Sequence, residues 1–179
     1  ADACNMSAEI DRAILPSLLD TIAGQPGGQR HILNLSMGSV VDEGFPAWFG
    51  QQLAQRAIGG ARLVLIIPAD AVLSHPSRAG QIADELKQLG CEFALSGFGN
   101  EPRHIRLLGS FGVALVKLDP PISRELVANE EQRDLVRSMV KTANAAGAEV
   151  MVDEIRDASH LAALWQSGIK LVAGEFLQE

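Results

Sequence analysis

At 179 residues the chain is long enough for one sizeable core, and 47 % apolar with 21 % charged residues is an ordinary globular balance, so one domain over residues 1–179 is expected. The formal charge of −7 and the scatter of Lys and Arg exclude non-specific binding to a nucleic-acid backbone, which needs a concentrated basic face, while a basic pocket for a small anion stays open. No apolar run reaches the ~20 residues of a membrane span, and the N-terminal ADACNMSAEIDR lacks the basic and then apolar pattern of a signal peptide. Cys4 and Cys91 show neither CxxC nor metal-ligand spacing, and read as free thiols of a cytoplasmic protein.

In chain order, apolar helical spacing runs from Ile10 to Ile22 and ends at the breakers Gly24 to Gly28. A strand follows at HILNLS, then a helix over Ala47 to Ala57, a strand at ARLVLII and a helix over Arg78 to Leu89. Cys91 opens the next strand, in which Phe93, Ala94 and Leu95 break into a turn of Ser96, Gly97, Phe98 and Gly99. Beyond it come a short helix over Pro102 to Leu108, a strand at VALVKL, a helix over Gln132 to Ala146, a strand at AEVMV, a helix over Ala158 to Gln166 and a last strand at IKLVA. Six near-continuous apolar strands alternating with helices describe an α/β fold with a buried parallel sheet.

Periodicity alone leaves an open doubly wound sheet and a (β/α) barrel as alternatives, and favours the open sheet because a barrel typically takes ~250 residues. In both, ligands bind at the carboxyl ends of strands. The residues there are Asn34 and Ser36; Ile66, Pro68, Ala69 and Asp70; Ser96 and Gly97; Lys117 and Asp119; Asp153, Glu154 and Arg156; Ala173 and Glu175. Each has a plain structural use beside a functional one. Asn34 serves equally as a turn residue, Lys117 as a solvated charge or a partner of Asp119, and Asp153 with Glu154 as acids at the start of the following helix. His31, His75, His104 and His160 are dispersed without ligand spacing. Trp48 with Phe45 and Phe49 reads as a core or helix-cap contact rather than a stacking platform for a base, and Trp165, at helical spacing with Leu161 and Leu164, likewise reads as core.

LNLS, SGFG, KLD, VDEIR and the closing LWQSGIKLVAGEFLQE occur in an order and spacing that resembles the EAL domain, the bacterial cyclic-di-GMP phosphodiesterase module. The resemblance covers nearly the whole chain. It implies a TIM-like (β/α) barrel with about six parallel strands in this chain, the strand with the Glu-Ala-Leu signature lying outside it.

Active members follow NLS with ExxE, DDFG, KxD, EGVE and QG, and bind Mg²⁺ or Mn²⁺ through the signature Glu, the Asn of NLS, the first Glu of ExxE and the first Asp of DDFG. By this resemblance Asn34 is kept, whereas Ile66 and Ser96 replace the two acids; Ala69, Gly97 and Ala173 replace further polar residues. Lys117 matches the lysine beside the attacking water, Asp119 the KxD acid and Asp153 the general base, while Arg156 reverses a charge. Hard divalent cations require several oxygen ligands with carboxylates among them. The implied reading is therefore a domain without metal, cofactor or catalytic residues. KLDPPISREL and DASHLAALWQSG resemble the EAL domains of receptors that regulate type IV pili and surface motility. Such a domain acts on a regulatory protein partner, with cyclic-di-GMP as a metal-independent ligand at a nucleotide rim of Asn34, Ser96, Gly97, Lys117, Asp119 and Asp153. A scaffold without nucleotide and a metal-dependent phosphodiesterase with ligands outside this chain are the alternatives. The two sheet edges of an incomplete barrel lead to the expectation of a homodimer, or of a gap covered by the helix Ile10 to Ile22.

Overall fold

The structure, a computed structural model, describes residues 2–126, 129–155 and 157–173, with side chains from residue 6 onward. Contacts separate it into two compact units, Ala1–Ala94 and Leu95–Glu179. The first holds α1 (Asp2–Ala23), β1 (His31–Asn34), α2 (Met37–Val41), α3 (Phe45–Gln55), β2 (Leu63–Pro68), α4 (Ala69–Ser74), α5 (Pro76–Gln88) and the start of β3 (Glu92–Phe98). The second holds the end of β3, α6 (His104–Leu107), β4 (Leu115–Leu118), α7 (Pro120–Arg124), α8 (Glu130–Ala145), β5 (Glu149–Val152), α9 (Ala158–Gln166) and β6 (Leu171–Val172). The strands are parallel and follow chain order from β1 to β6. A doubly wound sheet reverses its order at a switch point. No reversal occurs here, so the open-sheet alternative gives way to the singly wound, TIM-like α/β topology.

In the first unit, Leu63 to Ile67 of β2 are each at most 2 % exposed, as a parallel strand covered on both faces requires. β1 differs: Ile32 and Asn34 are exposed and Leu33 is buried, so its sequence alternates in burial. The helices bury their own apolar faces: Leu15, Leu19 and Ile22 of α1, which meets α2 and α3, Phe45 and Phe49 of α3, and Ile82 and Leu86 of α5. Each such side chain contributes about 1.5–3 kcal/mol by leaving water. The Phe45 and Phe49 rings stack with centroids 5.6 Å apart. Trp48 is half-buried beneath the Arg12 guanidinium, 4.9 Å from the ring centroid. The 3-10 turn Gly60–Arg62 before β2 passes close to the end of α5, where a Cβ on Gly60 would stand 2.0 Å from the Leu89 carbonyl oxygen. Cys91 is buried at the start of β3, and burial pushes its thiol up to about 11.

Asp42, just after α2, ties three elements together. Its Oδ2 accepts from Arg12 Nη2 at 2.7 Å and Nε at 3.2 Å, its Oδ1 accepts from the Gly44 N–H at 2.8 Å, and its carbonyl accepts from Arg78 Nη2 at 3.0 Å. Burial alone would raise the Asp42 pKa; the Arg12 hydrogen bonds, the Gly44 N–H and the charges of Arg12 and Arg78 outweigh it and hold the carboxyl below its ordinary value.

In the second unit, α8 lays Val136, Met139, Val140 and Ala143 on the sheet, and Asn129 caps it by accepting from the Gln132 N–H. Asp157 caps α9 in the same way, through the His160 N–H at 2.8 Å. His160 is itself buried, and its Nε2 donates to the Ser123 carbonyl at 2.9 Å. Trp165 is 60 % exposed, which corrects its assignment to the core. Leu164 takes the buried position on α9 instead. Among the described residues no helix is long and apolar enough to cross a membrane.

Two outcomes are expected. Gly60→Ala forces the turn before β2 away from the Leu89 backbone, and overpacking of this kind costs about 1–3 kcal/mol, lowering the thermal midpoint by roughly 2–10 °C. Calorimetry reads this directly. Asp42 stabilises the fold at neutral pH because its folded pKa lies below the unfolded one, and that contribution is lost as pH falls through the folded value. With the pair partly exposed, Asp42→Asn should cost about 1 kcal/mol at pH 7 in urea unfolding and almost nothing at pH 2.

Candidate functional site

In the first unit, Asn34 ends β1 and pairs in register with Ile66 of β2. The Leu35 N–H donates to the Ile66 carbonyl at 2.8 Å, continuing the ladder by one residue. The chain then turns into α2, where the Ser36 hydroxyl caps the helix by accepting from the Ser39 N–H. Asp11 on α1 holds that turn: its Oδ2 accepts from the Ser36 N–H at 2.8 Å and from the buried Ser39 hydroxyl at 2.7 Å. Asn34 is exposed, whereas Ile66 is 1 % exposed and surrounded by core. Pro68 ends β2, Ala69 is buried at the first position of α4, and Asp70 is exposed in the first turn of that helix.

In the second unit, Ser96 and Gly97 lie within β3, which continues to Phe98. The expected turn therefore begins later, and Gly97 with φ 64° and Gly99 with φ 100° supply conformations that L side chains rarely adopt. The Gly99 N–H donates to His104 Nδ1 at 3.2 Å, and the His104 ring lies 5.8 Å from that of Phe98. Asp119 follows β4, and its N–H donates to the Phe98 carbonyl at 3.0 Å. Its side chain makes no capping bond to α7.

Lys117 on β4 donates through Nζ to Asp153 Oδ2 at 2.9 Å. The partner is thus Asp153 after β5, and the reading of Lys117 as a partner of Asp119 is replaced by this pair. Adjacent parallel strands explain it: Lys117 is in register with Met151, two residues before Asp153. The other oxygen, Asp153 Oδ1, is buried without a hydrogen-bond partner among the described residues. Glu154 has φ 60° and its Oε2 accepts from Arg124 Nη2 of α7 at 2.5 Å. Neither Asp153 nor Glu154 caps α9, since Asp157 does so. The Ala173 N–H donates to the Val152 carbonyl at 2.9 Å. Arg156 and Glu175 lie outside the described residues.

The structure thus brings Lys117 together with Asp153, and Asn34 together with Ile66. Sequence reading missed Arg124, Asp11 and the structural roles of His104 and His160. Asp11 and Arg124 act across more than twenty positions of the chain, where no local spacing reveals them. Chemically, Asn34 supplies one amide oxygen and Ile66 none, whereas Mg²⁺ and Mn²⁺ take carboxylate and other oxygen donors in number. Lys117 and Asp153 neutralise one another and offer one anion-binding and one proton-accepting group at the same place.

The EAL domain profile matches residues 1–179. The chain is similar to the cyclic di-GMP phosphodiesterase PdeF of Escherichia coli, with 24 % identity over 172 residues, 94 % of this chain and 23 % of that protein. It is also similar to the RNase E specificity factor CsrD of Escherichia coli, with 24 % identity over 96 % of this chain and 26 % of that one. The chain spans about a quarter of the length of these curated relatives. Among solved structures it resembles the FimX EAL domain of Xanthomonas citri in complex with c-diGMP, with TM-score 0.90, 23 % identity, and coverage of 100 % of this chain and 72 % of that one. The FimX EAL domain of Pseudomonas aeruginosa bound to c-di-GMP gives TM-score 0.91 and 24 % identity, covering 100 % and 73 %. These likenesses carry the fold. With the profile spanning the full sequence, the chain belongs to the EAL domain family.

Proposed function

We propose that this chain is a non-catalytic EAL domain of cyclic-di-GMP signalling, acting through contact with a regulatory protein and binding cyclic-di-GMP without metal. One observation carries the reading. Asn34, the residue that matches the metal-binding Asn of the family's sequence pattern, lies in register with buried Ile66 where that pattern has a carboxylate. Ser96 in place of the first acid of DDFG supports it. Without a metal to lower the pKa of water, Asp153 has no activated nucleophile to serve. Lys117 retains a use as an anion-binding charge, which suits a phosphodiester ligand.

The likeness to FimX EAL domains crystallised with c-di-GMP supports a nucleotide ligand, and the resemblance of KLDPPISREL and DASHLAALWQSG to receptors of pili and surface motility supports a cytoplasmic domain of that kind. Protein contact is supported by exposed apolar side chains on α1, where Met6, Ile10, Ile14 and Leu18 recur every fourth residue and are each more than 40 % exposed.

The purified chain should hydrolyse cyclic-di-GMP no faster than buffer does, in Mg²⁺ or in Mn²⁺. Metal-dependent turnover that Lys117→Ala abolishes would overturn the non-catalytic reading. Isothermal titration with cyclic-di-GMP should give the same affinity in Mg²⁺ and in EDTA, and Lys117→Ala should weaken it by about ten-fold, the scale of one charge-assisted hydrogen bond. Binding that vanishes in EDTA would count against metal independence, and absence of binding in both would leave the scaffold reading in its place.

A further inference from the structure

Glu154 is one of two non-glycine residues among those described with positive φ, at 60°. An L residue with a full side chain enters this region at a cost, and persists there only where its surroundings over-determine the conformation. Three consecutive residues are held here by three different elements. Asp153 is held by Lys117 of β4 at 2.9 Å. Ile155 is buried, and its N–H donates to the Ala173 carbonyl after β6 at 3.4 Å. Between them, Glu154 is held by Arg124 of α7, thirty positions earlier in the chain.

The contacts of Asp153 and Ile155 fix the two ends of the turn. Among the described residues, the Arg124 contact is the one that acts on the side chain of the strained residue itself. In an extended strand, successive side chains point to opposite faces; the left-handed residue redirects the chain so that two adjacent acids reach two cations on different elements.

We propose that the Arg124–Glu154 ion pair is a latch that keeps the turn after β5 in its left-handed conformation and thereby positions Asp153 against Lys117. Arg124 and Glu154 are 41 % and 55 % exposed, so the pair is solvated and individually weak. Its strength is of the same order as the backbone strain it opposes. The latch is therefore balanced close to opening, and loss of either partner tips the turn. Arg124 and Glu154 are positioning residues in this scheme, and the inference does not depend on any nucleotide being bound.

The test is hydrogen exchange at the backbone amides of residues 153–155 in the ligand-free protein, with thermal unfolding measured alongside. Glu154→Ala removes the pair and keeps the strain, and Arg124→Gln does the same from the other side. Both should accelerate exchange at the Ile155 amide by about three-fold or more while the global melting midpoint stays within about 2 °C of wild type. Glu154→Gly removes the strain together with the pair, and should exchange within about two-fold of wild type. Adding Arg124→Gln to Glu154→Gly should then have no further effect, because the two changes act on one contact. Exchange in Glu154→Gly as fast as in Glu154→Ala, or unchanged exchange in Arg124→Gln, would overturn the proposal.

Discussion

Because β1 pairs with β2 in parallel, and β4 with β5 and β5 with β6 likewise, every return along the sheet needs a crossover, and the carboxyl ends within each unit come to lie on one side. The rest follows from that pairing. Crossover helices must bury an apolar face on the strands, which α5 does through Ile82 and Leu86 and α8 through Val136 and Val140. Short strands then place residues two positions past a ladder beside their neighbours: Lys117 meets Asp153 through the same register that sets Val116 against Val150. The polar chemistry of the second unit is thus a consequence of backbone pairing, and would move with it.

Several charges around the strand ends and helix ends are arranged as compensated pairs. Lys117 has Asp153, Arg124 has Glu154, and in the first unit Arg12 has Asp42. In water each is a modest attraction, since solvent and ions screen charges that remain partly exposed. Their value lies in geometry more than in energy. The Asp42 carboxylate fixes the orientation of α1 against the end of α2, and Arg12 in turn covers the Trp48 ring. A ligand phosphate approaching Lys117 meets a cation whose charge is already satisfied, so binding there exchanges one anion for another and gains only the difference between them.

The alternation of strands and helices was legible because each strand is an apolar run and each crossover ends on a breaker. α9 is found at Ala158–Gln166 as its spacing indicates, and α5 and α8 shift by one or two residues. Three short helices were not legible. α2, α4 and α7 contain five or six residues each, too few to display a 3.6-residue period, and form where the chain leaves a strand and must turn at once. α1 starts well before Ile10 because its first turns carry small and polar residues without an apolar pattern. At the candidate site, Asn34, Lys117 and Asp153 could be named from motif order, whereas the partner of Lys117 could not, since Asp119 stood beside it in sequence and only the strand register brings Asp153 to it. The left-handed turn at Glu154 left no trace, because Glu is not a turn-forming residue and its partner lies on a different element.

Cys91 gives the first unit a property of another kind. With its thiol buried and its pKa pushed up to about 11, about one molecule in ten thousand carries the thiolate at pH 7, and that sulfur faces the interior. Alkylating reagents and peroxide attack the ionised, accessible form, so in the native state this sulfur is chemically silent. It becomes reactive only when β3 parts from its packing. The rate at which a thiol reagent labels Cys91 therefore measures how often the start of β3 opens.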